Sequence, residues 1–553
     1  MTDHHQESRA VKIYTDGGCR PNPGPGAWAA ILRSANHERI LSGRSEERTT
    51  NNRMELRAVI EALKALGPAS RVTIVTDSQY VKQGITKWLA KWEKNNWRGA
   101  NRKPIKNQEL WRSLSAAAAQ HQVTWEWVAG HIGDEHNERA HDIVMNELAK
   151  HHLNHAESVT GKHMKFARRV AGFNTTIFQE INDLARESQA TNLGQGRPDF
   201  DGPFQAIDAA IAAFDTSAGT TNQYAPGPGV PLLMEKVAEH AADFYGLSVD
   251  PAAGVLITAG ATQAIFSAVM GLVDAGDEVV VIEPYYDSYV PSILMAGATP
   301  IYVPLRPPQW TYDREEMRAA FSRRPRAILL NTPHNPVGRV YTLEELSFIA
   351  DLCKEFDVLV ITDEVYEHLT FDSHVHIPIA TLPDMFERTI TIGSAGKTFG
   401  MTGWKIGWSY GPPDLIQGIW RVHQFVVFAV NHPTQLAVAH AFGLDQSYYR
   451  QYRDLLAGKR EILIQALDQA GLTCLIPEGT YFVMADFSNV FPGNDIDFAR
   501  HLAKEIGVAC IPPSVFYSEP HKAIAAKQAR FAFCKNDETL HEAAEKLTRL
   551  AQH

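Results

Sequence analysis

Ser394-Ala395-Gly396-Lys397-Thr398-Phe399-Gly400-Met401-Thr402-Gly403-Trp404-Lys405-Ile406-Gly407 sets one amine between a hydroxyl and a second cation, in a run too rich in small residues for a plain helix. An amine that attacks an aldehyde must be desolvated, or lie near another positive charge, so that it spends time unprotonated. Lys405 supplies that charge and can also hold a phosphate. The stretch reads as a Schiff-base lysine, Lys397, for pyridoxal phosphate.

Such a cofactor also needs an anion near its pyridine nitrogen, a donor to its phenolate oxygen, a phosphate cup and a ring stack. Working outward from Lys397, each has a candidate. The apolar run Val358-Leu359-Val360-Ile361-Thr362 delivers Asp363 at its end. Tyr366 and Asn335 can donate to the phenolate oxygen. Gly260-Ala261-Thr262 sits where a strand gives way to a helix, and helix N-termini suit phosphates; Ser394 and Lys405 complete that cup. Tyr286 can stack on the ring, and Arg530 can hold a substrate carboxylate by a two-point bond. Singly, each is ordinary: strand-end Asp residues form turns, Asn-Pro starts them, and Gly-Ala-Thr before a helix is a cap. Their joint order around Lys397 carries the weight.

Around these residues the chain alternates strand and helix in the βαβ manner of a parallel sheet, with strands over 255–258, 278–282, 327–331 and 358–362 and a helix over 262–273. With 553 residues it is too long for one ordinary domain. Its net charge of −10 is uneven: residues 1–155 hold 22 Lys+Arg against 17 Asp+Glu, a net of +5 against −15 for the remainder. A basic front on an acidic body points to a polyanion partner for the front. The five cysteines (Cys19, Cys353, Cys474, Cys510 and Cys534) show no CxxC spacing, which argues for a reducing compartment and against a zinc site. No run approaches eighteen apolar residues and the first ten are polar, so neither a membrane span nor a secretory signal is expected, and the chain reads as cytoplasmic.

The front reads as a mixed α/β domain. Strands are expected at 11–15, 26–32, 72–76 and 123–128, and helices at 54–66, 80–92 and 137–150. Asp16, Glu55 and Asp77 each fall at an element end, where carboxylates can converge on Mg²⁺, and a pair of such ions can drive phosphodiester hydrolysis. Nine Lys and Arg between Lys82 and Arg112, interleaved with Trp88, Trp92, Trp97 and Trp111, suit a nucleic-acid backbone.

Two resemblances sharpen these readings. Tyr14-Thr15-Asp16-Gly17-Gly18-Cys19, Asn22-Pro23-Gly24-Pro25-Gly26, Thr49 to Leu56, Thr76-Asp77-Ser78-Gln79 and Trp125 to His131 resemble bacterial-type ribonuclease HI. The resemblance implies cleavage of the RNA strand of an RNA–DNA hybrid. Asp16, Glu55 and Asp77 would be metal ligands and His131 would assist proton transfer or product release. Cys19, Asn22, Asn51, Asn52 and Gln79 would contact the hybrid, with Thr50 near a DNA phosphate. One departure stands out: His141 occupies the place of the fourth carboxylate, and Asp142 follows one step later, a rotation of about 100° on a helix. Either Asp142 serves as the fourth ligand, or His141 is a nitrogen ligand, suited to Mn²⁺ better than Mg²⁺, or a lesion.

The rear, with Lys397, Asn331 to Gly338 and Gly194-Gln195-Gly196-Arg197-Pro198-Asp199-Phe200, resembles the class I/II aminotransferases of fold type I, nearest the kynurenine/glutamine and methionine transaminase group. This implies a large domain with a mostly parallel sheet, a small α/β domain, and a homodimer in which Tyr224 reaches the neighbouring subunit's cofactor phosphate. Gly196 would line the carboxylate side of the pocket, and amino acid and 2-oxo acid would exchange an amino group. Tyr285, Tyr286 and Tyr289 favour an aromatic or large neutral donor.

The expected layout is a ribonuclease H-like domain at 9–152, a linker at 153–166 and an aminotransferase domain at 167–553, forming a bifunctional enzyme. Competing readings are a regulator that senses pyridoxal phosphate or an amino acid, and a transaminase carrying a catalytically weak hybrid-binding appendage.

Overall fold

The computed structural model describes residues 10–550 except 20–23, 35–36, 68, 96, 99–103, 128–135, 138, 142, 145–146, 148–166, 171, 174, 216–218 and 220. Asn22, His131, Asp142 and the expected linker lie outside the described residues. The chain divides into two compact units, Met1–Gly172 and Phe173–His553.

The first unit is built on a five-stranded sheet in the order β3-β2-β1-β4-β5. Its strands are β1 (Ala10–Cys19), β2 (Gly24–Ser34), β3 (His37–Thr49), β4 (Arg71–Thr76) and β5 (Gln122–Trp127). β1, β2 and β3 are antiparallel; β4 and β5 run parallel to β1. The helix Asn51–Lys64 buries Met54, Leu56, Val59, Ile60 and Leu63. It lies so close to β1 that a Cβ on Gly17 would sit 2.3 Å from the Met54 carbonyl carbon and 2.4 Å from the Glu55 nitrogen. Only glycine permits that approach.

Two expectations change here. Asp16 does not end its strand, because β1 continues to Cys19 and Asp16 pairs with Ala29 of β2. The parallel pairing with β4 ends one residue earlier, at Thr15 and Thr76, so Asp16 and Asp77 both emerge where that seam ends. The tryptophans of the basic stretch pack chiefly on one another. Trp88, Trp92 and Trp111 form a chain with ring centroids 5.5 Å apart at each step, and Trp111 is fully buried. The helical run from Gln79 to Lys94 passes through a wider turn at Gly84–Trp88, where a Cβ on Gly84 would fall 1.9 Å from the Trp111 ring.

The second unit holds an eight-stranded sheet in the order β10-β9-β8-β11-β12-β13-β14-β7. Small pairings join β6 (Thr191–Asn192) to β17 (Val508–Ala509). The large sheet comprises β7 (Val255–Thr258), β8 (Glu278–Glu283), β9 (Thr299–Arg306), β10 (Thr311–Tyr312), β11 (Ala327–Asn331), β12 (Leu359–Asp363), β13 (Thr389–Ser394) and β14 (Gly407–Tyr410). The central strands β9, β8, β11, β12 and β13 are parallel, and β14, β7 and β10 are antiparallel to their neighbours. Helices cover both faces, so the central strands read as continuous apolar runs such as Ala327-Ile328-Leu329-Leu330. A three-stranded antiparallel sheet, β15 (Thr473–Leu475), β16 (Phe482–Asp486) and β18 (Gln528–Ala532), forms a second layer with its own core around Phe487, Phe498 and Phe531. Among the described residues no helix is long and apolar enough to cross a membrane.

Candidate active sites

Ligands of open α/β sheets gather at the carboxyl ends of the parallel strands, and the residues chosen from the sequence gather there too. Asn331, Asp363 and Ser394 close β11, β12 and β13, with Asn331 opposite Asp363 in register. They line a cavity of about 540 Å³ together with Gly196, Gly260, Ala261, Thr262, Tyr286, Asn335, Tyr366, Lys397, Lys405 and Arg530.

Lys397 opens onto this cavity from the short helix Ala395–Thr398. Desolvation lowers its amine to about 8, with the Arg530 and Lys405 charges adding to the fall and Asp363 opposing it. Its nitrogen donates to the Tyr481 hydroxyl at 2.5 Å and to the Gly196 carbonyl at 3.3 Å. Asp363 moves the other way: burial raises it to about 6, although Tyr289 donates to its Oδ2 at 2.6 Å.

The end of the cavity at Gly260 is built by close backbone approach. Gly260, at φ +77°, caps the helix Ala261–Leu272. A Cβ there would lie 3.3 Å from the Lys405 Nζ. Gly407 pairs with Thr258 across β14 and β7, and a Cβ on it would strike the Gly260 carbonyl carbon at 2.7 Å and the Ala261 nitrogen at 2.8 Å. Arg530 lies among aromatic rings, its guanidinium carbon 4.2 Å from the Phe482 centroid and 5.2 Å from that of Phe178. It donates to Asn335 Oδ1 at 3.2 Å and the Gly194 carbonyl at 2.8 Å, and its buried Nε has no partner.

Of the three tyrosines expected near the substrate, only Tyr286 lines the cavity. Tyr289 is committed to Asp363, and Tyr285 stacks on Tyr302 at 6.0 Å. Tyr224 is 81% exposed and is not among the lining residues. Sequence reading missed Tyr481 and Phe482, which look like ordinary strand aromatics, and Phe178. The exposed Arg197, quoted from the sequence only as part of a motif, also lines the cavity.

Behind Asp363 the chain is fixed by buried polar pairs. Glu364 meets Thr362 Oγ1 at 3.0 Å and His376 Nε2 at 2.9 Å, and Glu367 accepts from the Tyr245 hydroxyl at 2.7 Å. His240, Glu367 and His368 cluster closely enough to resemble a metal site. The imidazoles, however, meet end-on, Nε2 to Nε2 at 2.7 Å with centroids 5.0 Å apart, which is hydrogen-bond geometry with the ring nitrogens facing each other.

In the first unit, Asp16, Glu55 and Asp77 converge. Glu55 rises to about 7, chiefly from desolvation, with the Asp16 and Asp77 charges adding to the rise, while Ser78 Oγ donates to its Oε2. His141 Nδ1 is 2.9 Å from Asp16 Oδ2, so the histidine does stand at the carboxylate cluster. Cys19 and Asn51 hold each other, the Asn51 Oδ1 accepting from the Cys19 backbone nitrogen at 2.8 Å. Thr50 and Asn52 line a second cavity of about 510 Å³ with Tyr80, Trp88, Trp92, Lys106 and Asn107. Gln79 begins the helix after Asp77 and is exposed.

Comparison with known proteins agrees with both halves. The family model "Aminotransferase class I and II" matches residues 188–547, and the RNase H model matches 8–149. A kynurenine–oxoglutarate transaminase of Dictyostelium discoideum is 40% identical over 423 residues, 70% of this chain and 96% of its own length. The N-succinyldiaminopimelate aminotransferase structure from Mycobacterium tuberculosis superposes with a TM-score of 0.67 at 42% identity, covering 70% of this chain and all of its own. An Escherichia coli structure described as having a methionine aminotransferase function gives 0.67 at 38% identity, again over 70% of this chain and all of its own. The chain belongs to the class I and II aminotransferases and carries an RNase H domain at its front.

Proposed function

We propose that the second unit exchanges amino groups between an aromatic or large neutral amino acid and a 2-oxo acid, with pyridoxal phosphate as cofactor. The observation that carries this is the set of unneutralised charges around one cavity: an amine, a buried carboxylate, a lysine at a glycine-built cradle and an arginine with an unpartnered nitrogen. The residues fit the group. Gly260, Thr262, Ser394 and Lys405 would hold its phosphate, Asp363 its ring nitrogen, Asn335 and Tyr366 its phenolate oxygen, and Tyr286 its ring face. When bound, pyridoxal phosphate supplies an aldehyde and an electron-accepting ring that stabilises negative charge at the substrate carbon.

The chain's own part is to bind, orient and move one proton. Arg530 fixes the substrate carboxylate against the Asn335 and Gly194 side of the pocket. Lys397, lowered to about 8, is available as the base that takes the substrate's Cα proton and returns it as an acid. Tyr286, Phe178 and Phe482 offer apolar walls to a large donor. Arg197 offers a cation to the second carboxylate of an acceptor such as 2-oxoglutarate, the acceptor named for the D. discoideum relative.

Exposed Phe204, Ile211, Phe214, Tyr224, Phe425 and Phe428 support a face covered by a second copy. Five free cysteines support a reducing, cytoplasmic setting.

The first unit we read as a nuclease for RNA–DNA hybrids. Mutual repulsion among Asp16, Glu55 and Asp77 fits a site made for divalent cations, with Asp142 and His131 as the further expected participants. His141 beside Asp16 shifts the expected preference from Mg²⁺ toward Mn²⁺.

The aminotransferase reading is tested by absorbance of the purified protein before and after borohydride. A reducible band should appear in the native protein and vanish in Lys397→Ala; its persistence in that variant would overturn the assignment.

A further inference from the structure

With pyridoxal phosphate and substrate bound, the Lys397 nitrogen would need a fixed place from which to reach the substrate. The structure shows such a place. Tyr481, fully buried at the start of the β16 hairpin layer, accepts from Lys397 Nζ at 2.5 Å and donates to the Gly196 carbonyl at 2.8 Å. The same carbonyl accepts from Lys397 at 3.3 Å, closing a three-membered ring of contacts. The Tyr366 ring meets Tyr481 edge to face at 5.2 Å and fixes its plane. Gly196 makes the arrangement possible: a Cβ there would fall 2.9 Å from Tyr481 Cε2 and 2.4 Å from Phe482 Cζ.

We propose that Tyr481 is a positioning residue for the reaction, holding the freed Lys397 nitrogen through its phenol oxygen and tying that hold to the Gly196 segment beside the substrate carboxylate. This rests on the aminotransferase reading above. The phenol can only accept from or donate to the amine and never takes its proton, because burial pushes its own ionisation well above the ordinary value. Its oxygen stabilises the ammonium more than the free amine, so it limits how far desolvation lowers Lys397. The other groups facing the amine are the Tyr366 ring, the Cys534 thiol, Asp363, Arg530 and Lys405; the Asp363 charge partly offsets those of Arg530 and Lys405.

The test is Tyr481→Phe in the full chain, which keeps the ring and removes the oxygen. The rate at which cofactor-free protein forms a borohydride-reducible bond with added pyridoxal phosphate is measured against pH, since the midpoint reports the free amine. The midpoint should fall by about one pH unit, since losing one charge-assisted hydrogen bond is a change of about tenfold in the ionisation equilibrium. In the loaded enzyme, conversion of an α-deuterated donor should slow about tenfold with a larger isotope effect, because proton movement becomes more rate-limiting. Tyr481→Gln, which restores an acceptor, should recover part of the midpoint. An unmoved midpoint with an unmoved isotope effect in Tyr481→Phe would overturn the proposal while leaving the aminotransferase reading intact. Failure of the native protein to form any reducible bond at Lys397 would overturn both.

Discussion

Replacing Asp363 by Asn removes a carboxyl that the folded protein finds costly to ionise. Burial raises Asp363 from 3.8 to about 6, even with the Tyr289 hydroxyl 2.6 Å from Oδ2. A carboxyl moved that far works against the folded state by about 3 kcal/mol once ionised. The sign follows from proton counting: between pH 4 and 6 the folded chain binds more protons at this site than the unfolded one, so stability falls as pH rises through that window. Asn accepts the Tyr289 hydrogen bond through its amide oxygen, at a loss of about 1 kcal/mol relative to a charged acceptor. Cofactor-free Asp363→Asn should therefore be more stable than the native chain by about 2 kcal/mol at pH 7, and no more stable at pH 4. Calorimetry of the two proteins across that range measures the difference, and the melting transition that moves belongs to the second unit. With cofactor bound, a cationic ring nitrogen offsets the cost in the native protein and the variant's advantage disappears. A difference that stays flat from pH 4 to 7 in the cofactor-free proteins would refute the argument that desolvation dominates at Asp363.

Three further outcomes follow from close approach and from ligand chemistry. Gly407→Ala drives a Cβ into the Gly260 and Ala261 backbone, which no side-chain rotation relieves; it should cost about 1–3 kcal/mol and weaken retention of pyridoxal phosphate in equilibrium dialysis. Gly403→Ala meets nothing within 4 Å and should leave stability within about 0.5 kcal/mol. In the first unit, His141→Asp places an oxygen ligand beside Asp16; Mg²⁺-dependent cleavage of a labelled hybrid should rise about tenfold while Mn²⁺-dependent cleavage changes less, and an unchanged Mg²⁺ rate would show that the histidine is not what limits the site.

What the sequence made legible follows from what local patterns can encode. β8, β11 and β12 are buried on both faces and announce themselves as apolar runs, and the strand-end Asn331, Asp363 and Ser394 come with them. β3 was not foreseen because His37–Thr49 lies at the sheet edge and is mostly polar, with Ile40 47% exposed. The helix Gln108–Ala118 begins inside a stretch read for its charge, although Trp111 and Leu114 anchor it in the core. Tyr285, Tyr286 and Tyr289 are nearly adjacent, and composition cannot say which faces the ligand. The helix beginning at Tyr289 decides it, turning that residue to Asp363 and leaving Tyr286 on the cavity. Tyr481 carried no signal at all, because its partners Gly196 and Lys397 are remote in sequence and meet it only in the folded chain.

Two sets of buried charges in the second unit contrast with each other. Lys459 and Arg460 are buried in the helix Ser447–Gln469, yet each reaches an acid: Lys459 to Asp537 at 2.7 Å and Arg460 to Asp372 at 2.9 Å. Those pairs neutralise both charges within the chain, although the Arg460 Nε, like that of Arg530, is buried without a hydrogen-bond partner. Lys397, Asp363 and Arg530 make no ion pair among the described residues; their hydrogen-bond partners are phenols, an amide and backbone groups. The same desolvation drives Lys397 down to about 8 and Asp363 up to about 6, so each sits nearer to neutrality than a surface group would. Such groups are liabilities in an isolated fold, where a lone buried charge is costly. On the proposed reading they become assets when a cofactor would bring a cation to Asp363 and a substrate a carboxylate to Arg530. On the proposed reading, cofactor and substrate together would relieve the costs at Asp363 and Arg530, so these charges are spaced to match ligands and not to match one another.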